Sequence, residues 1–431
     1  MKIKTIFAVL AASIIFTSCG LTGSIEGLLT PPVISDEQQA VYDALAADTE
    51  DNISLVYPRY GDNRSAFIFS DLDGDGKDEA IAFYRTSRDD SNVRVNIMKE
   101  ENDAWRSVYD HSGRGTSVER VFFTEFSGKQ RFMCIGYSYL TQIDKTLSVY
   151  SFDGGALNEE YSDIYNKLEI VDINLDGGDD VVLINGNTEE HPGYVMLVTS
   201  PEDSSSVRCT SAVKLRTAST EQVNTISGGI SGGAAAVFID SSSQSGTITT
   251  EVLYCVGGNL RNPASAEGSQ IPSLTARRAG LSMDIDNDGI VEIPTQTPFP
   301  GYTAADSAAV TIWNIFENYS LTQKYYSLYV PSQGYCFVLP MRWQGHVTVK
   351  TDASTGERVF YKFNSNLRDS RLELMRITVC EPADESKYAD NGYMTIAKND
   401  ARCIMVHLES DTDPLMLTAA EVENGMIILP T

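Results

Sequence analysis

Beyond about residue 51 the chain alternates short apolar runs with turn residues, a texture that predicts strand after strand. Four runs group at "SAFIFS", "EAIAFY", "VRVNIM" and "AWRSVY". Four more group at "LEIVDI", "DVVLIN", "GYVMLVT" and "VRCTSAVKL", and a further four at "AGLSMDI", "VEIPTQT", "VTIWNIF" and "LTQKYYSLYV". Weaker groups lie between them, around "VFFTEFSGKQRFMCIGY" and "AVFIDSSSQSGTITTEVLY". With Asp71, Glu125, Asp172, Asp240 and Asp284 as corresponding points, the interval matches a propeller blade, roughly 40–50 residues. The fold predicted for 51–330 is mainly β: a β-propeller of about five four-stranded blades, which leaves few sheet edges exposed. Six blades follow if the irregular stretch 215–235 hides a degenerate unit.

The pattern differs at both ends. Over 34–50, "ISDEQQAVYDALAADT" predicts a helix, with Ser35 and Gln38 spaced as a capping box and Val41, Tyr42 and Leu45 on one face. After 331 the repeat is lost. "GYCFVLPMRW", "GHVTVK", "RVFYKF", "LELMRITVCE", "YMTIAK" and "CIMVHLE" read as strands and "LTAAEVENG" as a short helix, so 331–431 is expected to form a smaller α+β domain. Its opening, "QGYCFVLPMRW", resembles the entry of small PsbP/Mog1-like sandwich domains, a likeness confined to that motif.

Residues 1–18 read as a targeting segment: Lys2 and Lys4, then the apolar "TIFAVLAASIIF", too short for a comfortable span. The end, "FTSCG", resembles a bacterial lipoprotein lipobox with Cys19 as the lipidated first mature residue, although Phe16 stands where that pattern usually has Leu. The resemblance implies lipid anchoring at the extracytoplasmic face of a bacterial cell membrane, with 19–33 as a tether. Charge narrows the partners. The chain carries 33 Lys+Arg against 59 Asp+Glu, a net −26, and so acidic a surface repels nucleic-acid backbones.

Part of that charge is concentrated in three loops. At positions one, three, five and nine they carry Asp71, Asp73, Asp75 and Glu79; Asp172, Asn174, Asp176 and Asp180; and Asp284, Asp286, Asp288 and Glu292. Glycine stands at position six in each (Gly76, Gly177, Gly289) and permits a sharp turn. Oxygens at alternating positions converge on one point, and a backbone carbonyl at position seven (Lys77, Gly178, Ile290) would complete an all-oxygen set that suits Ca²⁺ better than Mg²⁺. An EF-hand is excluded, because position twelve is Ala82, Leu183 or Thr295 and the flanks are strand formers. These loops resemble the FG-GAP/VCBS calcium loop, DxDxDGxxD/E in a β-hairpin, known from integrin-type propellers and bacterial surface proteins. "YPRYGDNRSAFIFSDLDGDGKDEAIAFY" also looks like clostridial-type VCBS-repeat lipoproteins. The resemblance implies up to three structural Ca²⁺ ions over roughly 60–330 and no defined activity. Asp78 and Asp179, at position eight, are expected to face solvent.

Nothing else in the chain spells out a reaction. His111, His191, His346 and His407 are scattered without metal-ligand spacing, and "GGISGG" (228–233) lacks the lysine of a phosphate loop. Trp105, Trp313 and Trp343 read as core residues. Cys134, Cys209, Cys255, Cys336, Cys380 and Cys403 form no CxxC pair and read mostly as buried free thiols. The function expected is binding or scaffolding at the cell surface, with a protein or glycan as ligand. The alternative is an extracytoplasmic hydrolase acting on cell-wall or polysaccharide substrate at the central face, whose carboxylate pair the sequence does not single out.

Overall fold

Each group of runs yields one antiparallel sheet, although "AGLSMDI" contributes only a bridge from Met283 to Glu292, in the computed structural model, which describes residues 35–429 apart from 50–51, 88–90, 127–129, 140–143, 187–192, 202–205, 217–220, 305, 307 and 411. Cys19, with the whole of the targeting segment and tether, lies outside the described residues, as does His191. The first sheet takes Ile53–Leu55, Phe67–Ser70, Glu79–Thr86, Arg94–Glu101 and Ala104–Ser112. The second runs from Ser117 to Tyr165, the third from Lys167 to Val171 and on to Lys214, and the fourth from Glu221 to Arg261, each with four strands in chain order. The irregular stretch 215–235 therefore hides no extra unit: it supplies the first strand of the fourth sheet, Glu221–Gly229.

The fifth sheet holds Glu292–Pro298, Ala309–Glu317 and Ser320–Val330, and then recruits Tyr335–Val338 and the distant Met426–Ile428. The division expected at 331 thus runs through this sheet. A last, five-stranded sheet is built from Val347–Thr351, Arg358–Lys362, Glu373–Cys380, Met394–Lys398 and Cys403–Leu408. The helix Ala419–Gly425 is opened by a capping box between Thr418 and Glu421. At the N-terminus Ser35 and Gln38 exchange the reciprocal bonds of their own box, and helix Asp36–Thr49 buries Val41 and Leu45.

Period-two alternation decides how the sheets stack. In the third sheet Val181, Leu183 and Val198 face the core shared with the second sheet, while Val182, Ile184 and Leu197 face the core shared with the fourth. In the fourth, Val237 and Ile239 look back and Ala236 and Phe238 look forward to the fifth. Strands buried on both faces must be apolar throughout, which is why "DVVLI" and "AVFI" read as continuous runs. The first and second sheets share a core of the same kind through Ile81, Phe83, Val121 and Ile135.

A closed ring was expected, and here the structure differs. Among the described residues no hydrophobic cluster joins the first sheet to the fifth. The far face of the first, with Phe67, Ala82 and Tyr84, is covered by Val41 and Leu45 of the N-terminal helix. The fifth packs through Val310, Leu328 and Phe337 on the C-terminal sheet, with Trp343 and Phe360 in the same core. Consecutive sheets pack face to face, and among the described residues the first does not close onto the fifth.

Candidate functional site

Each acidic loop runs directly into a strand, Glu79–Thr86, Asp180–Asn185 or Glu292–Pro298, whose first residue is its ninth-position acid. The residue before the first Asp pairs with the ninth-position acid each time: Ser70 with Glu79, Val171 with Asp180, Met283 with Glu292. Asp71, Asp172 and Asp284 each accept the position-six glycine N–H, at 3.0, 3.0 and 2.8 Å. Those glycines have φ of 84°, 91° and 87°, left-handed values that a side chain resists. At position seven the N–H groups of Lys77, Gly178 and Ile290 bond Asp75, Asp176 and Asp288 at 2.8, 3.0 and 2.9 Å. Asp78 and Asp179 are exposed.

In the first loop Asp71, Asp73 and Glu79 bring carboxylate oxygens within 4.8 Å of one another, and in the third Asp284, Asp286 and Glu292 do the same. Either cluster can hold a metal ion, and hard, anionic oxygen donors fit a divalent cation. A lysine also reaches into each. Lys99 bonds Asp73 and lies 3.2 Å from Glu79 and 3.8 Å from Asp75. Lys324 lies 2.9 Å from Asp286 and 2.7 Å from both Asp288 and Glu292, while the Tyr325 hydroxyl donates to Asp286. Burial pushes the Glu79 and Glu292 carboxyls up, whereas the hydrogen bonds from Lys99 and Lys324 hold Asp73 and Asp288 below the usual range. In the second loop an asparagine stands at position three. Its Asn174 amide donates to Asp176 at 3.1 Å and to Asp180 at 3.3 Å, and burial raises the Asp180 carboxyl to about 6.

The two weaker anchors part company. Glu125 follows strand Ser117–Thr124, where the loop position lies in the other units. Asp240 is no loop acid. It sits fully buried within strand Ala235–Ser242, paired with Arg277 at 2.8 Å and accepting bonds from Thr250 and Ser282.

A second candidate lies where the first strands of the second, third and fourth sheets meet a loop of the first. Tyr60, Glu119, Arg120, Lys167, Glu169 and Asn224 are among the residues lining a pocket of about 370 Å³. The Tyr60 N–H donates to the Glu119 carbonyl at 2.8 Å, which lays this loop along the second sheet and leaves the ring half exposed. The buried Glu119 carboxylate accepts from Ser138 at 2.7 Å and lies 3.4 Å from both Arg59 and Lys145. Glu169 accepts a bond from Ser227 at 3.2 Å, and burial pushes its carboxyl up. Arg120 makes no ion pair among the described residues. Gly136 leaves the space that the Tyr165 phenol fills, since a Cβ there would lie 2.3 Å from its oxygen.

The acids of this pocket escaped the sequence reading. Their one signal was a charged residue inside an otherwise apolar first strand, as in "SVERVFF" and "KLEIV". Trp313 and Trp343 are core residues as expected, and Trp105 packs edge-on against Phe69. His111 and His346 are exposed, and His407 packs against Tyr393.

The fold and site thus define a mainly β protein of stacked antiparallel sheets bearing acidic loops competent for metal. The chain matches no protein-family model and no curated protein. Among solved structures it is similar to the exotype rhamnogalacturonan lyase YesX (13% identity, TM-score 0.26, 72% of this chain and 61% of that one). It is also similar to Bacillus licheniformis rhamnogalacturonan lyase PL11 (13%, 0.24, 63% and 62%) and an exo-β-1,3-galactanase from Phanerochaete chrysosporium (9%, 0.21, 76% and 80%). The chain spans about three-fifths of the length of the two lyases. At these TM-scores the likeness bears on neither substrate nor mechanism.

Proposed function

We propose that the protein binds a glycan in the pocket formed by the first strands, and that the acidic loops hold structural Ca²⁺. The observation that carries this reading is the pocket's make-up. A half-exposed aromatic ring, Tyr60, lies against a cation, Lys145, beside Arg120 and the amides of Asn166 and Asn224. An aromatic face with convergent donors and acceptors is how a hydroxyl-rich ring is held and oriented. Cys19 would carry the lipid that fixes the protein to the extracytoplasmic membrane face, as the lipobox resemblance implies. Affinity electrophoresis against a panel of soluble polysaccharides tests the binding. Retardation by at least one, lost in Tyr60→Ala and Arg120→Ala variants that melt normally, supports it. No retardation across the panel counts against it. Fatty-acid labelling lost in Cys19→Ser tests the anchor.

A second reading, hydrolysis of the bound glycan, is favoured by one specific observation. Glu169 is a half-buried carboxyl pushed up by desolvation, and the same pocket holds Glu119 among cations. Two carboxyls in one pocket, in unlike surroundings, are the groups that general acid–base cleavage of a glycosidic bond draws on. Glu169→Gln would then lower reducing-end release by about 10²–10⁴-fold while leaving retardation in the gel intact.

A further inference from the structure

We propose that Cys380 and Cys403 form an intrachain disulfide that staples the C-terminal sheet. The two residues face each other across adjacent antiparallel strands, Glu373–Cys380 and Cys403–Leu408. Directly opposed residues in such a pair have Cβ atoms about 4.5–5.5 Å apart, close to the separation of about 3.5–4.5 Å that a disulfide needs. Their side chains share one face of the sheet. The Cys380 sulfur lies 3.7 Å from that of Met405, two residues beyond Cys403 on the facing strand.

No other cysteine has this relation among the described residues. Cys134 faces Phe122 and Val149, Cys209 faces Val198, Cys255 faces Leu260, and Cys336 faces Tyr329 and Ile427. All six described cysteines are free thiols in this structure, and only Cys380 and Cys403 stand opposite one another. The crosslink would close residues 381–402, an excursion that contains the turn Pro382–Asp384, the helix Glu385–Ala389 and the strand Met394–Lys398. That strand is the sheet's edge and pairs only with the strand that Cys403 begins. The staple would therefore fasten both ends of the excursion that carries one of the sheet's two edge strands.

The chemistry needs a disulfide donor, such as oxidised glutathione or an oxidised dithiol oxidoreductase. The thiolate of Cys380 attacks one donor sulfur and the other leaves as a thiolate. The thiolate of Cys403 then attacks the Cys380 sulfur and expels the second donor thiolate. The protein loses two electrons and two protons, and the donor gains the electrons. Cys380, half-buried, is the accessible partner, whereas Cys403 is fully buried. Burial, Cys403 itself, and the carboxylates of Asp384 and Glu385 push the Cys380 thiol up, and Lys398 faces Cys403 from the edge strand. The thiolate is scarce near neutrality, so the exchange quickens as pH rises.

Purified full-length protein is incubated with oxidised glutathione, alkylated under denaturing conditions and digested without reductant. The proposal expects one crosslinked peptide joining Cys380 to Cys403, two fewer alkylatable thiols, and a higher melting temperature that reductant reverses. In Cys380→Ser the thiol loss disappears, and in Cys134→Ser it persists. The peptide map of the unsubstituted protein stands even if a variant misfolds. Full alkylation of both cysteines after oxidation of folded protein, or Cys380 linked to a different cysteine, overturns the proposal.

Discussion

At the scale of single residues, the most consequential group is one whose type misleads. Asp240 falls in the repeat where an acidic loop was expected, yet its carboxylate is locked to Arg277 with both side chains fully buried. Removing one member of a buried pair strands the other charge, so Asp240→Asn should destabilise the protein by about 3–5 kcal/mol in denaturant unfolding. Replacing both partners together with apolar residues should cost much less. Glu169 gives the pH signature. Its carboxyl is raised by burial, so its neutral form suits the fold. The stability it contributes is complete below the ordinary carboxylate range and fades as pH rises through its folded value. Glu169→Gln should therefore flatten that part of the stability–pH profile, which urea midpoints across mildly acidic pH will show. Neither residue announced itself in sequence. An aspartate in a strand and an aspartate in a loop are the same letter, and only the partner contributed from far along the chain separates them.

At the scale of the element, the hairpin with its acidic loop was the most legible feature. The alternation of oxygen-bearing residues and the glycine at position six dictate a local turn, and local geometry needs no distant partner. What the pattern could not supply was the lysine. Lys99 lies on the strand Arg94–Glu101 and Lys324 on Ser320–Val330, each brought in by strand pairing. A metal entering either loop competes with that ammonium, whereas in the second loop it meets the Asn174 amide on Asp176 and Asp180. Lys99→Met should thus lower the melting temperature of chelator-treated protein and enlarge the rise produced by added Ca²⁺, as seen by differential scanning fluorimetry. Melts that respond to Ca²⁺ identically in the variant and its parent would contradict this competition. The capping box at Ser35 was likewise readable, because a cap is a matter of a few neighbouring residues.

At the scale of the whole molecule, repetition was visible and closure was not. Strand runs at blade-like spacing predict sheets, and those sheets form. Whether the last returns to the first depends on what covers each outer face, and here an N-terminal helix and a C-terminal sheet do so. The same packing explains why the boundary at 331 looked natural in the sequence: texture changes there, yet Tyr335–Val338 and Met426–Ile428 still belong to the fifth sheet. A chain ending at 330 would lose those strands and expose Val310 and Leu328. It should elute as aggregate in size-exclusion chromatography, while the chain carrying its C-terminal residues elutes as a discrete species.

Unlike covers on the two outermost sheets also bear on how such a chain can change over generations. A circle of units admits a newcomer only if every neighbour rotates to make room. Where the outer faces of the first and fifth sheets carry covers of their own, less is asked: a duplicated unit meets familiar surfaces on both sides. Length variation by whole sheets is therefore open to this architecture, with the helix and the C-terminal domain carried along unchanged.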